Sequence, residues 1–538
     1  MGEPIPILQG RSHEGDLELD ADVLVVGSGA AGSVAAKILA EAGRSVIVAE
    51  EGGYVPPEEY ARFRPTEAMR RMYRDGGTTT AVGIGDTPLM SILAGRTVGG
   101  SSVLTGGVVF RIPEHILHHW SEDLGLGEYR PEMLEDAYRS VEEESHVETV
   151  PVEMQSQSTI LFEQGARKRG FRLKPMQRNT RGCRGSSRCN FGCPHRAKMS
   201  VDVTYLEKAR RMGTQVISDC RVERIEIQGG RAVGARGHLL RPDGRKGGKV
   251  RLRARRVILA ASALSTPLLL QRSGVGRWSK AVGRNLTLHP GARVTALFDR
   301  DVSAWKGALQ SAYSDAFEGE GITLNSVFAP INVLAATLPG TGAELARYTS
   351  QMRNLAAFGA MVHDEGGGRV WRLPGSDALI TYRMARKDKH KLLKGIRILA
   401  ETFFLAGARE VLLPIFGSKP IRSVDELRFL DDDFPARRIE CMTFHPLGSA
   451  RMGRDPATSV VDPTGKAHDV DDLYVLDGSI FPTSIGVNSQ LPIMTLATKL
   501  AWGIRDRWSN RAVKGIAGAA QDCQDAALDE PRALGKEA

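Results

Sequence analysis

Short runs of apolar residues, each followed by glycine or polar residues, mark the first fifty residues of the chain. Residues 23–26 are apolar without alternation, which is typical of a parallel strand buried on both faces. The Ala- and Leu-rich residues 33–42 stop at Gly43 and predict a helix with a glycine cap. Residues 46–49 are again apolar and predict a second buried strand. This strand, helix, strand order predicts an α/β fold.

The same kind of pattern returns in the middle of the chain. Residues 215–218 and 221–227 are predicted to be short strands. Residues 256–274 combine an apolar run, a turn of small residues and a helical stretch with Pro267 near its first turn. The sequence therefore predicts that strands of the α/β unit come from separated parts of the chain.

Three glycines between the first strand and the first helix suggest a bound nucleotide. Gly27 suits the tight turn, Gly29 lets the backbone approach a pyrophosphate, and Gly32 lets the helix lie close to the strand. The first amides of the helix would point at the phosphates. Glu50 follows the second strand about 20 residues later, where a carboxylate accepts hydrogen bonds from ribose hydroxyls. The pattern predicts a dinucleotide without a 2'-phosphate.

A second glycine-rich segment lies at residues 95–107, which contain five glycines and two serines. Backbone in such a run can come very close to a ligand, and its amides and hydroxyls can bind phosphate or ring oxygens. We therefore expect this loop to contact the same nucleotide.

Length and charge narrow the class of protein. A chain of 538 residues exceeds what one core usually supports, so two or more domains are expected. The net charge is +9, but the basic residues are scattered and no nucleic-acid motif accompanies them, so no nucleic-acid partner is expected. No apolar run is long enough to span a membrane, and the first residues do not form a secretory signal. A cytoplasmic location is the expectation.

The ordered motifs resemble those of the glucose-methanol-choline (GMC) oxidoreductase family of flavoproteins, and the resemblance covers most of the chain. Residues 285–290 and 406–411, with the glycine loop and a cysteine loop, are nearest to the branch that holds long-chain alcohol and sterol oxidases. The family motifs are the fingerprint with Glu50, the loop at 95–102, the strand, turn and helix at 257–274, residues 282–286, and the region 445–490.

This resemblance implies a fold of two domains. It implies a Rossmann-like FAD-binding domain built from discontinuous segments, and an α+β substrate-binding domain with an antiparallel sheet. The FAD-binding domain would comprise residues 1–110, 200–287 and 441–512, and the substrate-binding domain residues 111–199 and 288–440. Residues 513–538 are expected to form a flexible tail.

The resemblance also implies which residues bind FAD. Thr105 stands where many relatives have asparagine, so a side-chain hydrogen bond to the flavin is in doubt there. Some relatives attach FAD through a histidine of this loop, where this chain has Val103, Leu104 and Thr105, so FAD is expected to be noncovalent. The cofactor-binding residues implied are Gly27, Gly29, Gly32, Glu50, Arg96, Gly99, Gly100, Ser101, Ser102, Thr105, Val222, Asp477, Gly478, Asn488 and Gln490.

Oxidation of an alcohol needs a base close to the flavin, because a proton leaves oxygen while a hydride leaves carbon. His445 suits this role because an imidazole titrates near neutral pH. In the family this histidine is paired with a second His or Asn, which matches Asn488 here. The resemblance thus implies that His445 and Asn488 are the catalytic residues.

Cys183, Cys189 and Cys193 form a cluster that ends in Cys-Pro-His195. Certain relatives carry a three-cysteine iron-sulfur cluster, but the first gap is longer than in ferredoxins and no fourth ligand is apparent. A zinc site with His195 and a structural loop are the alternatives, and no metal is the favoured interpretation.

The substrate is expected to be a bulky or aliphatic alcohol. Residues 321–335 are largely apolar, and Met352, Phe358 and Met361 add to this character, although each could belong to the core. Oxygen or another electron acceptor would reoxidise the flavin. The alternatives are a sugar or glycoside dehydrogenase with an acceptor other than oxygen, or a non-oxidative lyase or decarboxylase on the same fold.

Overall fold

A computed structural model describes residues 2–328, 331–373 and 378–525 of the chain. Within these ranges the strands, β1 to β21 in chain order, are Leu8–Gln9, Leu17–Val26, Val46–Ala49, Thr80–Gly83, Met90–Ile92, Val147–Thr149, Lys174–Pro175, Gln177–Asn179, Gln215–Ser218, Cys220–Gln228, Arg231–Leu240, Lys246–Leu259, Gly291–Leu297, Ala312–Ser314, Ile322–Ser326, Leu355–Val362, Gly368–Trp371, Leu379–Tyr382, Glu410–Leu412, Cys441–Thr443 and Leu473–Val475.

The described α-helices are numbered in the same way. The first begins immediately after Gly29, earlier than the predicted residue 33, because Ala30 and Ala31 continue the helical run. Helices α1 to α12 are Ala30–Glu41, Pro57–Tyr60, Pro65–Met72, Glu114–His118, Pro131–Glu144, Gln157–Arg169, Tyr205–Arg211, Ser262–Ser273, Ile331–Ala336, Ala343–Ser350, Arg386–Leu405 and Gln490–Asp525.

The final helix changes one prediction. Residues 513–525, expected to belong to a flexible tail, continue α12 without a break. The sequence there has no proline, and its three alanines favour a helix although Gly515 and Gly518 do not. Residues 526–538 lie outside the described part of the chain.

The first sheet confirms the predicted α/β unit. Its strand order is β1-β9-β3-β2-β12-β11-β10, with β21 paired to β12. Strands β9, β3, β2, β12 and β21 run parallel to their neighbours, whereas β10, β11 and β12 form an antiparallel meander. Parallel strands end at one edge, so the loops that follow β2, β3, β12 and β21 meet there.

The second sheet is mainly antiparallel, as expected for the substrate-binding part. Its order is β17-β18-β4-β5-β20-β13-β16-β15-β14-β7, with β19 paired to β13. Helix α11 packs against β13, β15 and β16 on one face. Buried apolar side chains of this helix and of these strands form the second hydrophobic core.

The pairing departs from the predicted domain boundaries at two places. Strands β4, β5 and β20 were assigned to the FAD-binding domain, but they pair within the second sheet. Residues 112–141 were assigned to the substrate-binding domain, yet their buried side chains belong to the core of the first sheet. The reason is helix α5, whose apolar face packs on α12.

Among the described helices, none is both long enough and apolar enough to cross a lipid bilayer.

Candidate active site

A cavity of about 380 Å³ lies between the two sheets. Glu50 and Val222 line one end of it, and His445 and Asn488 line another. Predicted cofactor residues from four separated parts of the sequence therefore contact one continuous space. Those that line it are Gly27, Gly29, Glu50, Gly100, Ser101, Ser102, Thr105, Val222, Asp477, Gly478, Asn488 and Gln490.

The nucleotide end of the cavity is formed at the carboxyl edge of the first sheet. Gly27 follows β2, Glu50 follows β3, Ser262 follows β12 and Asp477 follows β21. Ligands of open α/β sheets bind at this edge, because the loops diverge there and leave a crevice. The edge thus has the geometry that a dinucleotide needs.

The three fingerprint glycines meet different surroundings. A Cβ on Gly27 would lie 2.3 Å from the Ala260 carbonyl oxygen, and one on Gly32 would lie 1.9 Å from the Gly27 oxygen. Both positions therefore require glycine for packing of the chain itself. A Cβ on Gly29 would have only the Gly100 Cα at 3.9 Å, so this glycine borders open space. A pyrophosphate can approach the backbone at Gly29, and FAD fits this cradle.

Glu50 is buried and accepts three hydrogen bonds from the chain. One carboxylate oxygen accepts from the Ser28 amide at 2.9 Å and its hydroxyl at 2.7 Å, and the other accepts from the Gly52 amide at 2.8 Å. Burial raises the pKa of Glu50, and these donors oppose that effect. The carboxylate therefore holds the glycine turn against the end of β3 while it also borders the cavity.

Asp477 is held in the same way. It accepts hydrogen bonds from the Ser262 amide at 3.0 Å, from the Thr266 hydroxyl, and from the Ser479 amide at 2.8 Å. Burial raises the pKa of Asp477. Ser262 has a φ of 82°, an unusual conformation for a residue with a side chain. The carboxylate thus fixes the turn that follows β12 next to the turn that follows β21.

The glycine loop is tied to the glycine turn after β2 and is held by hydrogen bonds within itself. The Gly99 amide donates to the Ser28 hydroxyl at 3.0 Å, and the Gly95 amide donates to the Ser101 hydroxyl at 2.9 Å. The Ser102 hydroxyl donates to the Gly99 oxygen at 2.7 Å.

Thr105, where the sequence left a flavin contact in doubt, has a partner within the chain. Its hydroxyl donates to the Gln490 Oε1 at 2.9 Å. Gln490 is the first residue of α12. The bond therefore ties the glycine loop to the segment that carries Asn488.

Glu51, which the sequence reasoning missed, lies beside the nucleotide end. Arg74 and Arg221 each approach its carboxylate to 2.8 Å, and Arg96 lies at 3.5 Å. Although burial raises the pKa of Glu51, the three arginines lower it to about 2. The group carries three positive charges and one negative charge, which suits a neighbouring pyrophosphate. The pair of adjacent acids after β3 was the only sequence signal for it.

His445 and Asn488 meet at the other end of the cavity. His445 follows β20, and Asn488 lies just before α12. The Asn488 Nδ2 lies 3.1 Å from the His445 Nε2, so the amide can donate to that nitrogen. The His445 Nδ1 and the Asn488 Oδ1 have no hydrogen-bond partner among the described residues. The sequence thus predicted a pair of side chains that the tertiary structure does bring together.

Burial, reinforced by repulsion from His289, lowers the pKa of His445 to about 3. The imidazole is therefore neutral at physiological pH and can accept a proton. A base needs this form before it removes a proton from a hydroxyl group.

His289 is a second histidine of the site that sequence reasoning did not assign. Its Nε2 accepts from the Ile485 amide at 3.3 Å and the Gly486 amide at 3.2 Å, and its ring centre lies 5.4 Å from that of His445. Burial lowers the pKa of His289 to about 3. A neutral ring with two donors at Nε2 carries its proton on Nδ1. The repeated His-Pro pair at 289–290 and 445–446 was the available signal.

Asp364 holds the loops around the two histidines. One of its oxygens accepts from the His289 amide at 3.2 Å and the Ser484 hydroxyl at 2.9 Å. The other accepts from the Leu288 amide at 3.0 Å and the Tyr382 hydroxyl at 2.6 Å. A carboxylate with four donors fixes the backbone that carries His289 and the segment leading to Asn488.

Residues on either side of the cysteine loop hydrogen-bond to the glycine loop. Arg178 is buried, and it donates to the Cys189 sulfur at 3.0 Å and to the Gly106 oxygen at 2.8 Å. The Lys198 ammonium donates to three carbonyl oxygens, including those of Val103 and Thr105 at 2.6 and 2.9 Å. These contacts fit the structural-loop interpretation.

Within the described ranges, the cysteine loop does not form a metal site. Cys183, Cys189 and Cys193 are free thiols, and His195 is exposed. No group of three or more His, Cys, Asp or Glu residues is placed to hold an ion in that part of the chain.

The three apolar residues that the sequence suggested for the substrate site occupy different places in the structure. Met361 lines the cavity. Phe358 stacks on Phe162, with ring centres 3.8 Å apart, and Met352 is buried in the same core. Two of the three are therefore core residues. Phe358 and Met361 differ because they face opposite sides of β16, and Met352 lies in the turn before that strand.

Two family models match the chain. Residues 21–291 match the N-terminal model and residues 376–497 match the C-terminal model, and both are described as GMC oxidoreductase. Together the matches include the glycine fingerprint, the glycine loop, His445 and Asn488.

Individual relatives agree with these matches. An uncharacterized GMC-type oxidoreductase of Mycobacterium tuberculosis is 38% identical over 89% of this chain and 75% of its own length. The long-chain-alcohol oxidase FAO3 of Arabidopsis thaliana is 27% identical over 91% of this chain and 70% of its own. A formate oxidase from Aspergillus oryzae is 18% identical, with a TM-score of 0.71 over 93% of this chain and all of that one, and shows the fold.

Proposed function

Because the chain belongs to the GMC oxidoreductase family and its cavity fits the FAD cofactor of that family, we propose that it oxidises the CH-OH group of an aliphatic or bulky alcohol. The observation that carries this proposal is the contact between His445 and Asn488 at the end of the cavity away from Glu50. FAD supplies the acceptor for the hydride when it is bound.

The residues that would hold the cofactor follow from the cavity. Gly29 and Gly100 pack against each other, since a Cβ on Gly100 would lie 2.8 Å from the Gly29 Cα, and both border the cavity, where a pyrophosphate can approach their backbone. Glu50 borders the ribose end, and Val222 lines the same end, where an adenine can pack. Val103 and Leu104 are buried and offer no reactive side chain, so we propose that FAD is held noncovalently.

His445 would remove the hydroxyl proton. A substrate hydroxyl group would take the place of the Asn488 amide at the His445 Nε2, where it would donate its hydrogen to that nitrogen and accept one from the displaced amide. That arrangement orients the C–H bond of the carbinol and stabilises the alkoxide as it forms. The lowered pKa keeps His445 free of a proton before the substrate arrives.

The lining near His445 favours an aliphatic substrate. Met442 and Phe444 come just before His445 in the chain, and together with Met361 and Phe328 they contribute apolar surface to the cavity. A long-chain-alcohol oxidase among the relatives supports the same class. A hydrocarbon chain would displace water from these side chains, which favours binding.

The test is anaerobic mixing of the purified holoenzyme with aliphatic, sterol and sugar alcohols while the flavin absorbance is recorded. Aliphatic alcohols should bleach the flavin. His445→Gln should bind FAD but bleach about a hundredfold to ten-thousandfold more slowly, the usual contribution of a general base. Readmission of air would show whether oxygen accepts the electrons.

His118→Gln is the matched control, because His118 is exposed on α4 and lies outside the cavity. It should bleach at the wild-type rate. Equal rates in wild type and His445→Gln would contradict the assigned base. A flavin that no alcohol bleaches would contradict the proposed function.

A further inference from the structure

Three residues on neighbouring strands form one row across the second sheet. Arg293 of β13 pairs with Gly359 of β16, and Gly359 pairs with Asn325 of β15. Residues directly opposite one another present their side chains to the same face of a sheet. All three line the cavity, so Arg293 and Asn325 flank a position in it that has no side chain between them.

The charge of Arg293 has no carboxylate partner within the described ranges. Its Nη2 donates to the Thr337 hydroxyl at 2.7 Å, and its buried Nε has no acceptor. Glu440 is the carboxylate that attracts it, but no ion pair joins the two in the described residues. Burial lowers the pKa of Arg293. A buried cation is costly unless an anion accompanies it, so a ligand is the natural source of the missing charge.

Asn325 has unused hydrogen-bonding capacity at the same place. Its side chain is buried, and its Oδ1 has no partner in the described ranges. The Oδ1 is an acceptor and cannot bind an anion, so Asn325 would hydrogen-bond to a carboxylate on Arg293 through its Nδ2, which is a donor. Two polar side chains that face one gap are better explained by a ligand than by packing.

The row between Arg293 and the histidines is apolar. Gly291 precedes Arg293 by two residues and pairs with Met361 and Met442, which line the cavity. His289 precedes Gly291 by two more residues. At about 3.3 Å per residue, Arg293 lies about 13 Å along the chain from His289. The cavity therefore offers a polar site at the histidines, a short apolar segment and a second polar site at Arg293.

We propose that Arg293 and Asn325 bind a carboxylate at the end of the substrate remote from its hydroxyl group, so that the substrate class is the ω-hydroxy carboxylic acids. The inference rests on the proposed function, because it takes His445 as the point where the hydroxyl is oxidised. A guanidinium matches the planar, singly charged carboxylate through two parallel hydrogen bonds. Hydrocarbon between the two ends would lie on Met361 and Met442.

The test compares three substrates of equal length with the holoenzyme: an ω-hydroxy acid, its methyl ester and the n-alcohol. The kcat/KM of wild type should be at least about tenfold higher for the acid than for the other two, as a charged hydrogen bond would give. Arg293→Met should lower the acid-to-alcohol ratio about tenfold to a hundredfold. Arg293→Lys should retain part of the preference, and Asn325→Ala should lower the ratio less.

Arg428→Met is the matched control, because Arg428 is 82% exposed and outside the cavity. It should keep the wild-type ratio. A wild-type ratio near one, or a ratio unchanged in Arg293→Met, would overturn the proposal and leave Arg293 a structural residue. In a series of ω-hydroxy acids, kcat/KM should also show an optimum in chain length, since the two ends of the substrate bind at two fixed sites.

Binding can be followed without turnover. A saturated alkanoate, which has no hydroxyl group to oxidise, should perturb the flavin absorbance of wild type at lower concentration than the n-alkanol. Arg293→Met should abolish that difference. If no alcohol or hydroxy acid bleaches the flavin, the proposed function fails, while this titration still decides whether Arg293 binds a carboxylate.

Discussion

The two ends of the cavity differ in how their polar groups are satisfied. At the nucleotide end, Glu50 and Asp477 each accept three hydrogen bonds from the chain itself, and the Arg96 Nε beside Glu51 is the atom of the arginine group without a hydrogen-bond partner among the described residues. At the substrate end, buried polar atoms of several side chains have no partner in the described part of the chain. These atoms are the His289 Nδ1, Arg293 Nε, Asn325 Oδ1, His445 Nδ1 and Asn488 Oδ1.

This difference indicates that the turns of the nucleotide end are held in place before a ligand binds. Buried donors and acceptors are normally paired, because an unmade hydrogen bond costs free energy. The satisfied carboxylates hold turns in place whether or not a ligand is present. The unsatisfied atoms at the other end are available to a ligand, so substrate selectivity and chemistry are expected there.

The largest expected effect separates two glycines of the nucleotide end. Gly32→Ala would place a Cβ 1.9 Å from the Gly27 oxygen, so the folded protein should be lost or its Tm should fall sharply. Gly29→Ala meets nothing closer than 3.9 Å and has a φ of −70°, which alanine adopts freely. Its Tm without FAD should match wild type, while FAD affinity should fall about tenfold.

Thermal unfolding with and without FAD, together with FAD titration, checks this pair. Wild-type FAD affinity in Gly29→Ala would show that the pyrophosphate does not approach this backbone. An unchanged Tm in Gly32→Ala would show that the helix and the turn are less closely packed than the structure has them.

A smaller effect is expected for Asp477→Asn. Two backbone amides and one hydroxyl donate to the carboxylate. An asparagine would place its own N–H donor opposite one of these donors, so that hydrogen bond would be lost. The free energy of unfolding should fall by about 1–3 kcal/mol, measured by urea unfolding of the holoenzyme. Ser479→Ala keeps the Ser479 amide that donates to Asp477, so it should cost less. Equal losses would argue that the carboxylate is not what holds the two turns.

The last prediction concerns pH and the substrate end. The pKa of His289 and that of His445 are lowered to about 3 in the folded state from 6.5. Below about pH 6.5 the unfolded chain binds protons that the folded chain excludes, so stability falls as the pH falls towards 3, by at most about 1.4 kcal/mol per pH unit for each histidine.

His289→Gln should make this fall shallower, because it removes one of the two histidines. The measurement is the Tm of the holoenzyme from pH 7 to about pH 4, where the folded protein still excludes these protons. His118→Gln, an exposed substitution, should leave the slope as in wild type. An unchanged slope in His289→Gln would mean that His289 is protonated in the folded state as easily as in the unfolded one.

The nucleotide end could be predicted because its signals are local. Gly27, Gly29, Gly32 and Glu50 lie within a stretch where strand, turn and helix follow directly from the order of residues. The structure continues α12 through residues 513–525, which the sequence predicted as a flexible tail, since no proline there ends the helix. Glu51 was missed because its arginine partners come from distant segments.

The substrate end was predicted only where a family motif reaches it, at His445 and Asn488. No local sequence signal marks Arg293, Asn325 or Asp364, because the role of each depends on contacts with residues of other strands or loops. Met352 and Phe358 were candidates for the lining but proved to be core residues.

By itself the sequence determined the nucleotide-binding unit, the FAD-dependent family and the identity of the candidate base, because backbone turns and short motifs are set by neighbouring residues. The tertiary structure decided the domain pairing, the position of His289 beside His445, and the row that joins Arg293 to Asn325. Strand register decides which side chains share a face, and register arises from contacts between segments far apart in the chain.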